Sequence, residues 1–97
     1  MKLNFIKRIV KTNEVLWDNP RGHINYQLEL DMLEEELNEA KEAYRDFMNN
    51  PIDNIDFETE FLDAMVDLVY VAIGTMHKLG LTPQEIDKAI HIVCDAN

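Results

Sequence analysis

The chain has one cysteine, three glycines and three prolines in 97 residues. A lone Cys94 excludes an internal disulfide and any Cys-x-x-Cys or Cys/His zinc arrangement, and it fits a reducing compartment. So few glycines and prolines leave few tight turns, as a helical protein requires. Cations are scarce too: nine Lys and Arg stand against nineteen Asp and Glu, a formal net charge of −10. That balance argues against direct binding to nucleic-acid phosphates or anionic membranes, which want clusters of Lys and Arg. An anionic substrate would have to arrive with cations. No apolar run is long enough to span a bilayer; "LVYVAIGTM" falls well short of the roughly 20 residues needed. Charges at positions 2, 7, 8 and 11 interrupt the N-terminal "MKLNFIKRIVK", which therefore does not read as a signal peptide. These absences predict a soluble, cytoplasmic protein.

What the chain does have is apolar periodicity. Apolar residues make up 46% of it, enough for a globular fold. Its length predicts one domain over 1–97 with a modest core, of a size that often completes its burial by oligomerising. The first predicted helix covers about 2–17, with Phe5, Ile6, Ile9, Val10, Leu16 and Trp17 at mostly helical spacing. "DNPRG" at 18–22 breaks it. A second helix over about 25–48 carries the stripe Leu30, Leu33, Leu37, Ala40, Tyr44, Phe47, and "NNPIDNID" at 49–56 is a loop. The third, about 57–79, is apolar on every side from Ala64 to Ile73 except at Asp67. Such a helix belongs at the centre of a bundle or in a subunit interface. Gly80 ends it, with Leu81 placed to pack back. The fourth begins at "TPQE": Thr82 as N-cap, Pro83 in the first turn, Glu85 closing a capping box. Ile86, Ala89, Ile90 and Val93 form its apolar face. Short connections favour antiparallel neighbours, so the fold class is an all-α antiparallel bundle of about four helices, completed by oligomerisation. "CDAN" carries no closing signal, so the natural chain is expected to extend further.

The acidic residues are placed oddly. Exposed helices normally interleave Glu with Lys three or four residues on. In "DMLEEELNEAKEAY", residues 31–44, none of Glu34, Glu35, Glu36 or Glu39 has a cation at those offsets. Glu60, Asp63 and Asp67 line one side of the third helix, and no Lys or Arg occurs between Arg45 and Lys78. An unpaired, ionised Asp67 buried in "AMVDLVYVAI" would cost on the order of several kcal/mol. Acidic helix faces are usually solvated surface, and Glu34 and Glu42 read that way. Two cation-starved clusters on neighbouring helices also make the oxygen-rich set that Mg²⁺ or Mn²⁺ takes.

"EELNE" (Glu35, Glu36, Glu39), followed after a loop by "DAMVDLVYVAIGTMHKLGL", resembles the all-α nucleotide pyrophosphohydrolases, which include MazG-like proteins, phosphoribosyl-ATP pyrophosphohydrolases and small phage and bacterial relatives. Their signature is E-E-x-x-E, a spacer, then E-x-x-D. The first half is intact. In the second, Asp67 matches the final Asp, but Ala64 stands where Glu is expected, Asp63 resembles a substitute one residue back, and a literal E-x-x-D occurs one turn early at Glu60 and Asp63. The motif-bearing resemblance covers about 25–97.

The resemblance implies Mg²⁺-dependent hydrolysis of a nucleoside triphosphate, ribo- or deoxy-, to the monophosphate and pyrophosphate by a homodimer or homotetramer. It implies metal ligation by Glu36, Glu39, Asp63 and Asp67, with Glu60 as an outer or occasional ligand, and Glu35 or Glu39 as the base. Asn97 resembles the start of a phosphate- or sugar-contacting segment. Arg21 and His23, in the loop before the second helix, are candidates to reach phosphate; Lys78 serves equally well as a helix C-terminal charge. Trp17, Tyr26 and Tyr70 read either as core or as base-stacking residues, His91 as structural, and the methionines as core gap-fillers. Nothing in the sequence places the chain in histidine synthesis, so phosphoribosyl-ATP ranks behind other nucleotides. The alternatives are a non-catalytic nucleotide- or protein-binding module on the same fold, and a structural dimer with a solvated acidic face.

Overall fold

The computed structural model describes residues 4–97. It has four helices and, among the described residues, no strand: α1 (Asn4–Val15), α2 (Tyr26–Asn49), α3 (Phe57–Leu79) and α4 (Pro83–Ala96). The expected start of the first helix at residue 2 lies outside the described residues. No single helix among those described is long and apolar enough to cross a membrane. The chain divides into two compact units, Met1–Asn25 with Ala72–Asn97, and Tyr26–Val71. α3 belongs to both.

In the first unit, α1, α4 and the end of α3 bury Ile6, Val10, Ile73 and Ile86, with Ile9, Met76 and Leu81 packed against them. Full burial of each such side chain is worth roughly 1.5–3 kcal/mol. The signals at the α3–α4 turn work as the residues dictate. Gly80, at φ 116°, turns the chain out of α3. Its N–H donates to the His77 carbonyl (3.0 Å), and the Leu81 N–H donates to the Met76 carbonyl (3.2 Å). Those two bonds are the paired 5→2 and 6→1 closure of a Schellman motif, and Leu81 and Met76 both pack against the core. Thr82 then opens α4 with both halves of the capping box in place and Pro83 in the first turn.

A buried polar clasp ties the 18–22 breaker down. Asn13, only 3% exposed, donates through Nδ2 to the Ile9 carbonyl (3.0 Å) and accepts at Oδ1 from Asn19 Nδ2 (3.2 Å). The Asn19 N–H donates to the Asn13 carbonyl (2.8 Å), and the Asn19 carbonyl sits 2.8 Å from His77 Nε2. A carbonyl can only accept, so His77 Nε2 is the donor in this bond. Gly74 fits closely beside this clasp: a Cβ there would lie 3.1 Å from Asn13 Nδ2 and Oδ1, and that side chain would have to shift by a few tenths of an ångström.

In the second unit, α2 and α3 run antiparallel about the 50–56 loop. Phe47 stacks on Phe57 with ring centroids 4.7 Å apart, and Phe61 and Tyr44 flank that pair. Asn54 Nδ2 donates to the Asp46 and Asn50 carbonyls and so closes the loop. Ala40 and Ala64 are buried, but several large apolar residues are not: Leu30, Leu37, Tyr44, Met48, Leu62, Val66 and Val69 remain exposed. The all-round apolar run of α3 is thus not covered within one chain. The apolar face expected on α4 is also only partly used, since Ile86 is buried while Ile90 and Val93 are exposed.

Candidate active site

The phenylalanine stack fixes which acids meet. Glu36 lies eleven residues before Phe47 and Asp67 ten residues after Phe57, nearly equal distances along antiparallel rods at about 1.5 Å per residue. Asp67 therefore arrives opposite Glu36, and Glu39 follows one turn later on α2. One carboxylate oxygen from each of Glu36, Glu39 and Asp67 lies within 4.8 Å of the others. Glu36 is half-buried, while the other two are exposed.

Glu36 carries the strain of this arrangement. Its Oε2 is buried without a hydrogen-bond partner; with all three groups ionised, every neighbour is an acceptor. Burial first, then the charges of Glu39 and Asp67, push its carboxyl above the ordinary carboxylate value, and bonding of the acid form to those two groups adds to the rise. No cation appears in that set of causes. The fit to a divalent metal follows from the same facts: three hard oxygen donors at close range, and one buried oxygen in need of a positive partner. Among the described residues, Glu36, Glu39 and Asp67 form a group that could hold such an ion.

The other expected residues fall elsewhere. Glu35 is exposed and, with Asp31, Glu34, Asn38, Glu39 and Glu42, lines an open acidic groove along α2. Glu39 belongs to both groove and cluster, because it lies about 60° from Glu36 and about 40° from Glu35 around the helix. Asp63 and Glu60 are exposed and are not part of the cluster. Glu60 sits in the first turn of α3, where its charge meets the positive end of the helix dipole. Arg21 is exposed in the first unit; its charge reaches Glu85, whose carboxyl is lowered mainly by the Thr82 backbone N–H and hydroxyl and further by Arg21. Lys78 is buried, 7% exposed, and so is not offered to solvent-borne phosphate. Asn97 donates through Nδ2 to the Val93 carbonyl (2.8 Å) and caps its own helix. Trp17 and Tyr26 are exposed and Tyr70 half-buried. His91 is exposed, 3.5 Å from Asp87. The polar core residues Asn13, Glu29 and His77 escaped the sequence reading; His77 contacts a carbonyl 58 residues away, and no local pattern announces that.

Three carboxylates from two antiparallel helices make an acidic cluster that could hold a metal ion, and the family model that matches the chain makes it a pyrophosphohydrolase, a hydrolase of phosphoric anhydrides. The model of the phosphoribosyl-ATP pyrophosphohydrolase family matches residues 2–92, and the chain belongs to that family. No curated protein and no solved structure matches the chain. The family's substrate is a nucleotide and its members generally depend on a divalent metal. The family takes its name from phosphoribosyl-ATP, which the sequence alone ranks behind other nucleotides.

Proposed function

We propose that the chain cleaves the bond between the α and β phosphates of a nucleoside triphosphate, ribo- or deoxy-, releasing the monophosphate and pyrophosphate, with Mg²⁺ as cofactor and Mn²⁺ as a substitute. Phosphoribosyl-ATP contains the same triphosphate and belongs in the same test. The observation that carries this reading is the Glu36, Glu39, Asp67 cluster with its buried, partnerless Glu36 oxygen. A divalent ion held there supplies positive charge for the phosphate oxygens and makes water more acidic.

The protein's own groups divide the remaining work. Glu36 and Asp67, from opposite helices, fix the cluster. Glu39 ties it to the open groove. In this reading Glu35, or Glu39 one turn later, both lining that groove, takes the proton as the water oxygen bonds to phosphorus and the anhydride bond breaks. Pyrophosphate leaves with the bridging oxygen.

The oligomer belongs to this proposal. The exposed apolar residues of α2 and α3 lie mostly around one side of each helix, away from the carboxylates, and a second copy of the same surface would cover them. A soluble, cytoplasmic homodimer or homotetramer working as one functional domain over 1–97 fits that surface and the net charge of −10.

The test is pyrophosphate release from a panel of ribo- and deoxynucleoside triphosphates and phosphoribosyl-ATP, with Mg²⁺ or Mn²⁺ against EDTA, and with Asp67→Asn as control. Metal-dependent release that the variant loses supports the reading and names the substrate. Nucleotide binding without release from any substrate would replace it with the non-catalytic module.

A further inference from the structure

Charge is divided unevenly along the chain. In Met1–Asn25 with Ala72–Asn97, seven Lys and Arg stand against five Asp and Glu, a net charge of +2; in Tyr26–Val71, two stand against fourteen, a net charge of −12. Three of the cations, Lys7, Arg8 and Lys11, are exposed on α1. Phe5, Arg8, Lys11 and Val15 fall within about 120° of arc around that helix, away from the buried Ile6 and Val10. Phe5 and Val15 are exposed too. α1 therefore has an outward face that is cationic in the middle and apolar at both ends. The hairpin has a counterpart at its loop end. Tyr44, Phe57, Phe61 and Met65 line an open apolar groove together with Glu58. Ile52 and Ile55, in the loop, are the most exposed large apolar residues among those described. Every charged residue from Asp46 to Asp67 is acidic.

We propose that the outward face of α1 in one copy of the chain docks on the loop end of the α2–α3 hairpin in a second copy, and that the exchange is reciprocal. Both surfaces are open to solvent in the single chain, so the contact lies between copies. The occupant follows from charge. Two hairpin ends set face to face would bring acid against acid, which repels. α1 instead brings Arg8 and Lys11 to the acidic surface, and Phe5 and Val15 to the groove and the loop isoleucines. This is an amphipathic helix seated on an apolar groove, with complementary charge selecting the partner. A one-way contact would leave an unmatched surface on each copy and add copies without limit; reciprocal exchange closes on a two-fold axis. The contact joins unlike surfaces and is separate from the pairing of like apolar faces along α2 and α3. It goes beyond the pyrophosphohydrolase reading and does not depend on it.

The experiment is sedimentation equilibrium of the full chain in EDTA. Self-association should weaken by at least about tenfold as NaCl rises from about 0.1 M to about 1 M, over which the screening length falls from about 10 Å to about 3 Å. At the lower salt, Arg8→Glu with Lys11→Glu, and separately Asp53→Lys with Glu58→Lys, should each weaken association by about tenfold or more, since like charges then meet. Mixed in equal amounts, the two variants should associate as tightly as the parent, because opposite charges then meet at both contacts. Circular dichroism checks that each variant is folded; if a reversal unfolds the chain, Arg8→Gln with Lys11→Gln replaces it and should still weaken association. Association indifferent to salt and to the substitutions overturns the proposal and leaves the like-face pairing. A mixture no tighter than its parts, or a chain monomeric at every salt, also overturns it. Pyrophosphate release that persists in any of these cases leaves the proposed activity standing.

Discussion

One helix lives in two environments. The part of α3 in Tyr26–Val71 is rich in apolar residues, yet Leu62, Val66 and Val69 are exposed, with Val66 at 57%. The part in Ala72–Asn97 buries a histidine completely and a lysine almost so, His77 at 0% and Lys78 at 7%. Hydropathy alone would have assigned these the other way. The difference lies in what each part meets. The end of α3 meets polar partners, the Asn19 carbonyl for His77 Nε2 and the Schellman bonds for its last carbonyls, while His77 Nδ1 is buried without a hydrogen-bond partner. The beginning meets three carboxylates and open solvent. Under the proposed function, a cation, a nucleotide and a second copy would cover what the beginning of α3 leaves exposed.

Substitutions at each end should break different properties. The largest effect is expected from Asp67→Asn, which should lower kcat by at least about 100-fold by removing a ligand and its charge. In urea titrations without metal, the same variant should be as stable as the parent or more so, because it relieves like-charge crowding around Glu36. Loss of both activity and several kcal/mol of stability would mean that Asp67 is a structural residue. His77→Ala is the mirror case. It should cost about 2–4 kcal/mol in urea unfolding, from the cavity and the unpaired Asn19 carbonyl, while the folded protein keeps its Mn²⁺ response.

Smaller changes sharpen the contrast. Val66→Ser should leave the unfolding free energy of the isolated chain nearly unchanged but weaken self-association, seen in sedimentation as a shift toward monomer. Unchanged association would show that a different surface is used. Thr82→Ala, at the finished end, should cost about 1 kcal/mol through loss of the N-cap, read as a lower melting temperature.

The pH dependence has a definite sign. Glu36 is raised from 4.5, so between that value and its folded value the native state holds more protons than the unfolded one. Stability of the metal-free protein must therefore fall as pH rises through that interval. Glu85 is lowered from the same 4.5. Its contribution is complete above that value and is lost as pH falls through the lower folded one. Urea midpoints from pH 3 to 8 (chosen to bracket both groups, about 4.5 being the ordinary carboxylate value) should show a decline on the alkaline side that saturating Mn²⁺ with nucleotide removes. A decline that persists with both bound would detach it from Glu36.

Local chemistry was legible in the sequence. The helix ends at Gly80 and Thr82 could be read directly because caps and Schellman closures depend on residues a few positions apart. The helical spans over 25–48 and 57–79 agree closely with Tyr26–Asn49 and Phe57–Leu79. Spacing also put Glu36 with Glu39, and Asp63 with Asp67, on common sides. Spacing could not say which level of α3 stands opposite Glu36. That depends on the loop and on the Phe47–Phe57 stack, and Asp67 is the acid of α3 that groups with Glu36 and Glu39. Burial was legible least. Lys78 reads as an exposed terminal charge, and Asn13 as an ordinary polar residue of an amphipathic helix. Their burial depends on partners distant in the chain.

The passage of α3 through both units has a consequence for dissection. There is no linker at residue 71 where the chain could be cut. A fragment ending there would keep the carboxylates but would take away Ile73 and His77, which the core of α1 and α4 and the Asn19 turn require. The carboxylate-bearing hairpin and its companion unit share α3, so a cut between them breaks a helix that both use.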